Sequence, residues 1–285
     1  MKFAMSELCK EFGLTRQGYS KARAKAPKAA LKEEMVVKLV GEVRRRMPRL
    51  GGAKAYHLVK EDMKAMGIKL GRDRFFGVLR EQGLLIEARR SRTRTTNSMH
   101  RYRVWPNRIE GLEVVRADQV WVSDITYIRC REGFEYLFLV TDVWSRKIVG
   151  WALEETLEAR WSLKALTMAA AGAVGPLEGL IHHSDRGVQY CSEDYVAELL
   201  GHKALISMAE RGNPYENAIA ERVNGILKGE FLLDRTMEDG AVARRAVREA
   251  IEIYNTERPH MSIGLMKPAQ RYRRNEDGEG ERKAA

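Results

Sequence analysis

The sequence predicts an α/β protein, with a mixed β-sheet flanked by helices that follows an α-helical N-terminal region. Up to about residue 85, apolar residues recur at the three- and four-residue spacing of helices. From about Asp118, β-branched and aromatic residues instead gather in the short runs that are typical of strands. Three strands, then helix, strand, helix, strand and helix, imply a mixed sheet with helices packed on it.

The first 28 residues predict a pair of short helices. Met5, Leu8 and Phe12 share one helical stripe, and Gly13 begins a turn. Thr15 could cap a second helix that runs to Ala24. A glycine-containing turn between two helices is typical of a helix-turn-helix, although any small helical hairpin would give the same pattern.

Residues 31–85 predict three more helices and a second possible helix-turn-helix. One helix contains Met35, Leu39 and Val43, a second covers residues 53–66 and stops at Gly67, and a last helix could be capped by Asp73. The arginines of this last helix either face DNA or form the solvated face of a helical bundle, and both interpretations stay open; they are Arg72, Arg74 and Arg80.

Residues 86–112 predict a basic linker, because the segment is rich in arginine and poor in apolar residues that could be buried. It is either an arm that binds DNA phosphates or a solvated tether. Its arginines are Arg89, Arg90, Arg92, Arg94, Arg101 and Arg103.

The α/β part is expected to consist of a core over residues 113–235 and a C-terminal helix with a charged tail over residues 236–285. The predicted strands lie at 120–128, 136–141, 147–152, 179–183 and 203–208. The predicted helices lie at 159–171, 193–200, 214–231 and 238–255, and the tail after about Arg274 is expected to be disordered. This order resembles the ribonuclease H-like fold.

The formal net charge of +11 favours a polyanionic partner such as nucleic acid, which releases counterions when basic residues bind its phosphates, although a basic surface also suits anionic membranes or simple solubility. There is no apolar run of about 18 residues, so no membrane span is expected, and the N-terminus does not resemble a signal peptide. The scattered residues Cys9, Cys130 and Cys191 argue against a zinc site or a disulfide framework and suit a reducing cytoplasm.

Three acidic residues lie in separate motifs: Asp124 in W-V-S-D-I-T-Y-I, Asp185 in H-S-D-R-G-V-Q-Y, and Glu221 in G-N-P-Y-E-N-A-I-A-E. Asp124 interrupts an apolar strand, where a charge is costly unless it is paired or metal-bound. Asp185 follows a short strand, at the edge where α/β folds place ligands. Carboxylates suit Mg²⁺, and two Mg²⁺ ions can drive phosphodiester chemistry.

The third motif offers two acids, and local chemistry separates them. Asn213 and Pro214 suit a helix start, which makes Glu216 a capping residue and leaves Glu221 for chemistry. Helical geometry sets four side chains on one stripe, which is a functional face or an ordinary solvated one; they are Asn217, Glu221, Asn224 and Lys228. Lys228 could hold a DNA phosphate.

These acids, with thirty-five residues between Asp185 and Glu221, resemble the D, D-35-E signature of transposases and retroviral integrases. The segments L-F-L-V-T-D-V-W-S-R-K-I-V-G-W (137–151) and Y-N-T-E-R-P-H (254–260) look like the second-frame (OrfB-type) transposases of bacterial insertion sequences. The resemblance implies an integrase catalytic core, with the three acids as ligands of two Mg²⁺ ions that Mn²⁺ could replace. It also implies Lys228 as a DNA contact, and Glu216 stands where the family more often has Asp.

The resemblance further implies Mg²⁺-dependent cleavage and strand transfer of an insertion sequence. The expected partners are transposon ends, target DNA, further copies of the chain on DNA and an upstream-frame protein, at the nucleoid of a bacterial cytoplasm. One alternative is a domesticated, catalytically silent DNA-binding protein of the same fold, and another is an RNA-cleaving enzyme. Three intact acids favour the active transposase, because a binding protein does not need like charges that converge.

Other polar residues have secondary interpretations. Asp142, with Ser145, is expected to fix a turn rather than to bind metal. His183 could orient Asp185, contact DNA or be a packed structural residue, and His182 is expected to be structural. Arg258, at the end of the last helix, could reach DNA. The residues Trp121, Trp144 and Trp151 are expected in or beside the core.

Overall fold

The computed structural model describes residues 4–87, 103–210 and 218–273, and the chain divides into two compact units. The first unit contains residues 4–46 and 50–87 and is helical. The second contains residues 47–49 and the described residues from 103 onwards, and it carries the β-sheet. The tail after Arg273 lies outside the described residues.

The first unit consists of α1 (Met5–Glu11), α2 (Arg16–Arg46), α3 (Gly52–Ala65) and α4 (Arg72–Glu81). In each of the last three helices, apolar residues at helical spacing form one face, and these faces pack together into a small core. That core includes Val36, Val40, Val59, Met63, Phe75 and Leu79. Gly67 follows α3 with φ of 68°, a conformation that favours glycine, so it stops the helix as predicted.

The long helix α2 corrects the prediction of two separate helices over residues 15–43. The Thr15 hydroxyl does accept a hydrogen bond from the backbone N–H of Gly18, at 3.0 Å. The helix then continues past Ala24 and includes Pro27. Several alanines lie on both sides of this proline, and alanine is the strongest helix former. The helix therefore continues through the region where the prediction ended it.

The second unit contains a five-stranded mixed sheet, which confirms the predicted fold class. Its strands are β1 (Val120–Cys130), β2 (Gly133–Asp142), β3 (Ile148–Glu154), β4 (Ile181–Ser184) and β5 (Leu205–Met208). They lie in the order β3-β2-β1-β4-β5. The first three strands are antiparallel neighbours, whereas β4 pairs parallel to β1 and β5 parallel to β4.

Helices cover both faces of this sheet: α5 (Ala159–Ala171), α6 (Glu193–Gly201), α7 (Ala218–Glu230), α8 (Gly240–Thr256) and the short α9 (Pro268–Arg273). Successive strand residues point to opposite faces. Trp121 accordingly packs with Leu166 of α5 and Leu199 of α6, whereas Val122 packs with Ala220 of α7. Gly150 lets α5 approach β3, because a Cβ there would lie 2.0 Å from the carbonyl oxygen of Ala165.

Two segments of the second unit differ from their predictions. Trp105, placed in the predicted linker, packs against the core, and the backbone N–H of Arg108 donates to Ser207 Oγ at 2.9 Å. The helix α9 was not predicted, and its Tyr272 hydroxyl donates to Asp118 Oδ1 at 2.7 Å. Residues 103–112 are therefore part of the core surface rather than a tether. Within the described parts of the chain, no helix is long and apolar enough to cross a membrane.

Candidate active site

The topology of the sheet brings Asp124 and Asp185 side by side. Parallel pairing of β1 with β4 aligns Ser123 with Ser184, so the next residue on each strand is one of the two acids. Both carboxylates line one cleft of about 470 Å³, beside the middle of β1 and the carboxyl end of β4. The carboxyl end of a parallel strand is where α/β folds place ligands.

The Asp124 carboxylate is held by two hydrogen bonds. Oδ1 accepts from the backbone N–H of Ile125 at 3.0 Å, and Oδ2 accepts from the Asn224 amide at 2.7 Å. The pKa of Asp124 is nevertheless raised to about 7: burial is the largest cause, and the charges of Asp185 and, to a smaller extent, Glu221 act in the same direction. The repulsion between the two acids thus contributes to the raised pKa of Asp124.

The Asp185 carboxylate is set by the turn that follows β4. Its Oδ1 accepts from the backbone N–H of Gly187 at 3.0 Å, an Asx-type turn that an aspartate readily forms. A Cβ at Gly187 would lie 3.0 Å from the same oxygen, so the glycine allows the close approach. The turn aims the carboxylate into the cleft that Asp124 also lines.

Glu221 lies in the first turn of α7 and is exposed. Its charge is near enough to raise the pKa of Asp124. Among residues 4–87, 103–210 and 218–273, however, no three His, Cys, Asp or Glu side chains lie close enough together to hold a metal ion. Two predicted ligands therefore meet in one cleft, and the third lies on the neighbouring helix without closing a three-ligand site.

Asn224 corrects one predicted DNA contact. The side chain is 7% exposed and its amide donates to Asp124, so Asn224 orients a carboxylate rather than facing a nucleic acid. The sequence does contain a signal for this contact with Asp124. Asn224 lies three residues after Glu221, so the two side chains share one face of the helix, and that face is expected to point towards the other acids. Asn217, on the same stripe, lies outside the described residues, as does Glu216.

Lys228 completes the stripe at the edge of the cleft. Its Nζ lies 4.1 Å from the ring centroid of Tyr127, which also lines the cleft. Burial lowers the pKa of Lys228, and the nearby Asp124 charge partly opposes that shift. A cation beside the two carboxylates is compatible with the predicted phosphate contact, which stays a prediction.

Arg258 corrects a second predicted DNA contact. Its guanidinium is 2% exposed and forms a two-pronged ion pair with Glu230, with Nε–Oε2 and Nη2–Oε1 distances of 2.8 and 2.9 Å. The pair joins the end of α7 to the segment after α8. Arg258 therefore stabilises the fold, and its burial excludes a surface contact.

The two histidines of β4 are structural. His183 is fully buried, and its Nδ1 lies 2.8 Å from Ser207 Oγ on β5, which excludes a DNA contact. On the opposite face, His182 Nε2 lies 2.7 Å from Ser123 Oγ. Burial lowers the pKa of His182 to about 3, so this ring is neutral and bridges two strands.

Asp142 fixes a turn, as predicted. It also contacts a second buried acid, Asp118, which no sequence pattern marks as buried. Asp142 accepts from the backbone N–H of Ser145 at 2.7 Å and from that of Asp118 at 2.9 Å. Asp118 in turn accepts from Trp121 Nε1 at 2.9 Å as well as from Tyr272. These acids anchor loops and a terminal helix, so neither belongs to the cleft.

The predicted arginine contacts outside the core divide between described and undescribed residues. Arg74 forms ion pairs with Glu33 and Glu81, the latter at 2.9 Å, whereas the side chain of Arg72 is 72% exposed. The linker arginines proposed as DNA contacts lie outside the described residues; they are Arg89, Arg90, Arg92 and Arg94.

The donor set of the cleft fits a divalent cation. Asp124 and Asp185 offer hard oxygen ligands, which Mg²⁺ and Mn²⁺ prefer, and each carboxylate oxygen keeps a second lone pair beside the bonds described above. The raised pKa of Asp124 has the repulsion between the two acids among its causes, and a bound cation would relieve that repulsion. The two carboxylates of the cleft are therefore chemically suited to a divalent cation.

Comparison with known proteins gives concordant matches. Two family models, each described as an integrase core domain, match residues 115–214 and 202–268. The 31 kDa protein of insertion element IS600 from Shigella sonnei is 36% identical over 266 residues, which cover 92% of this chain and 96% of that protein. The transposase InsF for insertion sequence IS3A from Escherichia coli K12 is 34% identical over 212 residues, covering 74% of this chain and 73% of InsF.

Among solved structures, the integrase catalytic core domain of HTLV-2, in complex with magnesium, aligns with 56% of this chain and 99% of that domain. The identity is 17% and the TM-score is 0.44. The fold assignment rests instead on the strand order and on the family models.

Proposed function

Because the chain belongs to the insertion-sequence transposases that have an integrase core domain, we propose that it cleaves and joins DNA at Asp124, Asp185 and Glu221 with bound divalent metal. The observation that carries this proposal is the pairing of β1 with β4, which sets Asp124 and Asp185 together at one end of a cleft. Like charges do not converge without a compensating ligand, since their repulsion is costly.

The metal requirement is two Mg²⁺ ions, with Mn²⁺ as a substitute. Asp124 and Asp185 would hold them, joined by Glu221. When bound, such a pair of ions activates the attacking oxygen and stabilises the leaving oxygen of a phosphodiester. The coarser requirement, a divalent cation, is supported by the oxygen donors of the cleft.

The chain's own groups orient the ligands. The Asn224 amide and the Ile125 backbone fix the Asp124 carboxylate, and the Gly187 backbone fixes that of Asp185. Such hydrogen bonds around a ligand hold it in one orientation and tune its basicity. Lys228, at the cleft edge, holds a phosphate oxygen of the DNA strand and thereby positions it over the acids.

Glu221 joins the site when metal and DNA bind. It lies one helical turn before Asn224, which already bonds to Asp124, so a modest shift of the first turn of α7 would bring it closer. Glu216, by contrast, is proposed to cap that helix. The charge of Glu221 contributes to the raised pKa of Asp124, and this proximity supports Glu221 as the third acid.

The DNA partners are the ends of the insertion sequence and a target duplex. The helical first unit and the linker arginines recognise the ends, and residues 118–272 carry the chemistry. Two ends must be joined, so at least two copies of the chain assemble on DNA, most simply by two-fold symmetry. An upstream-frame protein is a further partner, and the site of action is the bacterial nucleoid.

The test is an assay for nicking and strand transfer on duplexes copied from the element ends, with Mg²⁺, Mn²⁺ or EDTA. The proposal expects metal-dependent nicking and joining of DNA and no cleavage of an RNA–DNA hybrid. Sequence-specific binding of the ends without cleavage under any metal would favour the silent DNA-binding protein instead. Cleavage of the hybrid alone would favour an RNA-cleaving enzyme.

A further inference from the structure

The hairpin of β1 and β2 carries an aromatic wall beside the two carboxylates. Antiparallel register sets Tyr127 opposite Tyr136 and Arg129 opposite Phe134. Residues two apart on a strand share a face, so these four side chains lie together. All four line the same cleft as Asp124 and Asp185.

Two of these rings are open to solvent. Tyr127 is 41% exposed and Phe134 is 44% exposed. Their rings meet edge to face, with centroids 5.3 Å apart and planes at 86°. Burial of aromatic rings is favourable, and the fold buries these two rings only in part. Exposed aromatic surface next to a polar site therefore indicates a surface that binds a ligand.

Two cations flank this aromatic pair. The Arg129 guanidinium carbon lies 5.3 Å from the Phe134 centroid, and Lys228 Nζ lies 4.1 Å from the Tyr127 centroid. Aromatic faces alternating with basic side chains suit single-stranded nucleic acid, whose bases stack on the rings while its phosphates meet the cations. An apolar peptide would leave both cations without an anion, so the charges favour a nucleotide as the occupant.

The cleft has room for such a ligand. Its volume of about 470 Å³ falls within the range of about 300–1,000 Å³ that is usual for small-molecule sites. The two carboxylates and the aromatic rings both line this cleft. A nucleotide whose phosphate lies at the carboxylates would therefore set its base against the wall.

We propose that Tyr127 and Phe134 form a nucleobase subsite, which stacks one unpaired base of the DNA strand next to the phosphate that is cut. The proposal rests on the proposed function for the position of that phosphate. A base inside a duplex cannot reach the wall, since it is stacked and paired. The strand must therefore be unpaired locally, and DNA that is already frayed at the cut should bind more tightly than fully paired DNA.

The test compares the affinity of the full chain for two fluorescent single strands of about twelve nucleotides, an oligothymidylate and an abasic chain with the same phosphates. Their affinity ratio reports base contacts and cancels phosphate contacts. Tyr127→Ala and Phe134→Ala should each lower this ratio by about 5-fold or more, because one stacked base is lost. Tyr127→Phe, which keeps the ring, and Leu200→Ala, at an exposed residue of α6, should leave it unchanged.

Tyr127→Leu keeps an apolar side chain of similar bulk, and it replaces the alanine variant if that variant melts earlier than the parent. An unchanged ratio in folded Phe134→Ala and in folded Tyr127→Ala or Tyr127→Leu would overturn the subsite. Asp124→Asn separates this outcome from failure of the proposed function, because it should keep the ratio while it removes cleavage. If the alanine variants lower the affinity ratio but the parent never cleaves element-end DNA, the proposed function is refuted and the base subsite is retained.

Discussion

The Asn224 amide of α7 donates to Oδ2 of Asp124 on β1 at 2.7 Å, so a helix residue orients a strand carboxylate. The bond also opposes the burial that raises the pKa of Asp124. Asn224 thereby links the helix that carries Glu221 to the strand that carries the first acid. The contact implies that helix position and carboxylate ionisation are coupled.

Removal of this amide should slow strand transfer and shift its pH dependence. We expect Asn224→Ala to lower the rate by about 10- to 100-fold, as loss of a partner of a metal ligand usually does. The pKa of Asp124 should rise further, so the acidic limb of the pH–rate profile should move to higher pH. Arg222→Ala, at an exposed residue of the same helix, is the matched control. An unchanged profile in the Asn224 variant would mean that the bond has no role.

Ionisation of Asp124 should make stability depend on pH in the absence of metal. Its folded-state pKa of about 7 lies above that of an unfolded aspartate, so the folded state holds the proton more tightly. The free energy of unfolding should therefore fall as the pH rises from about 4 to about 7. Asp124→Asn should remove this part of the slope and raise the melting temperature at pH 8 in EDTA by about 2–4 °C or more.

Melting curves between pH 5 and pH 8 would check this dependence, with Glu132→Gln in the exposed hairpin as the control. Added Mn²⁺ should restore stability at pH 8 in the parent and have a smaller effect in Asp124→Asn, because the cation would neutralise carboxylates that are already ionised at that pH. Parallel slopes in the parent and Asp124→Asn would show that Asp124 ionises normally.

The choice of Glu221 over Glu216 can be tested by one pair of substitutions. Glu221→Gln should abolish cleavage because it removes a ligand charge. Glu216→Gln should cost only about 1 kcal/mol of stability, as a weakened helix cap, and leave cleavage in place. Cleavage assays and denaturant unfolding on both variants decide the matter. Loss of chemistry in folded Glu216→Gln, with activity kept in Glu221→Gln, would reverse the assignment.

The buried ion pair of Arg258 with Glu230 should matter for stability and not for DNA binding. Arg258→Met breaks a buried ion pair with Glu230, so we expect a loss of roughly 3 kcal/mol in urea unfolding. Arg248→Met, on the exposed face of α8, should change stability by less than about 0.5 kcal/mol. Affinity for element-end DNA should match the parent in both variants below the unfolding transition. A weakened affinity with normal stability in Arg258→Met would restore it as a DNA contact.

Local patterns predicted the parts of the fold that depend on local chemistry. Helix α5 begins and ends at the predicted residues, because its apolar residues recur with helical period up to Gly172. The resemblance of their motifs to the D, D-35-E signature predicts that Asp124 and Asp185 share a site, whereas the parallel pairing of β1 with β4 that brings them together is not evident in either motif.

Contacts between distant residues left no such signal. Tyr272 meets Asp118 across 154 positions, and Arg258 meets Glu230 across 28, so neither the helix α9 nor the burial of Arg258 follows from neighbouring sequence. The packing of Trp105 against the core was likewise not predicted, because the arginine-rich sequence around it is typical of a linker. In each case tertiary packing decided what composition could not.

The central claim is that Asp124 on β1 and Asp185, directly after β4, carry out strand transfer and not DNA binding. The most direct measurement is strand transfer on pre-cut element-end DNA by Asp124→Asn and Asp185→Asn, with end binding measured on the same preparations. We predict that each variant loses at least about 1,000-fold in rate, as expected when a metal site is lost, and binds the ends as the parent does. Strand transfer at the parental rate by either variant would contradict the account.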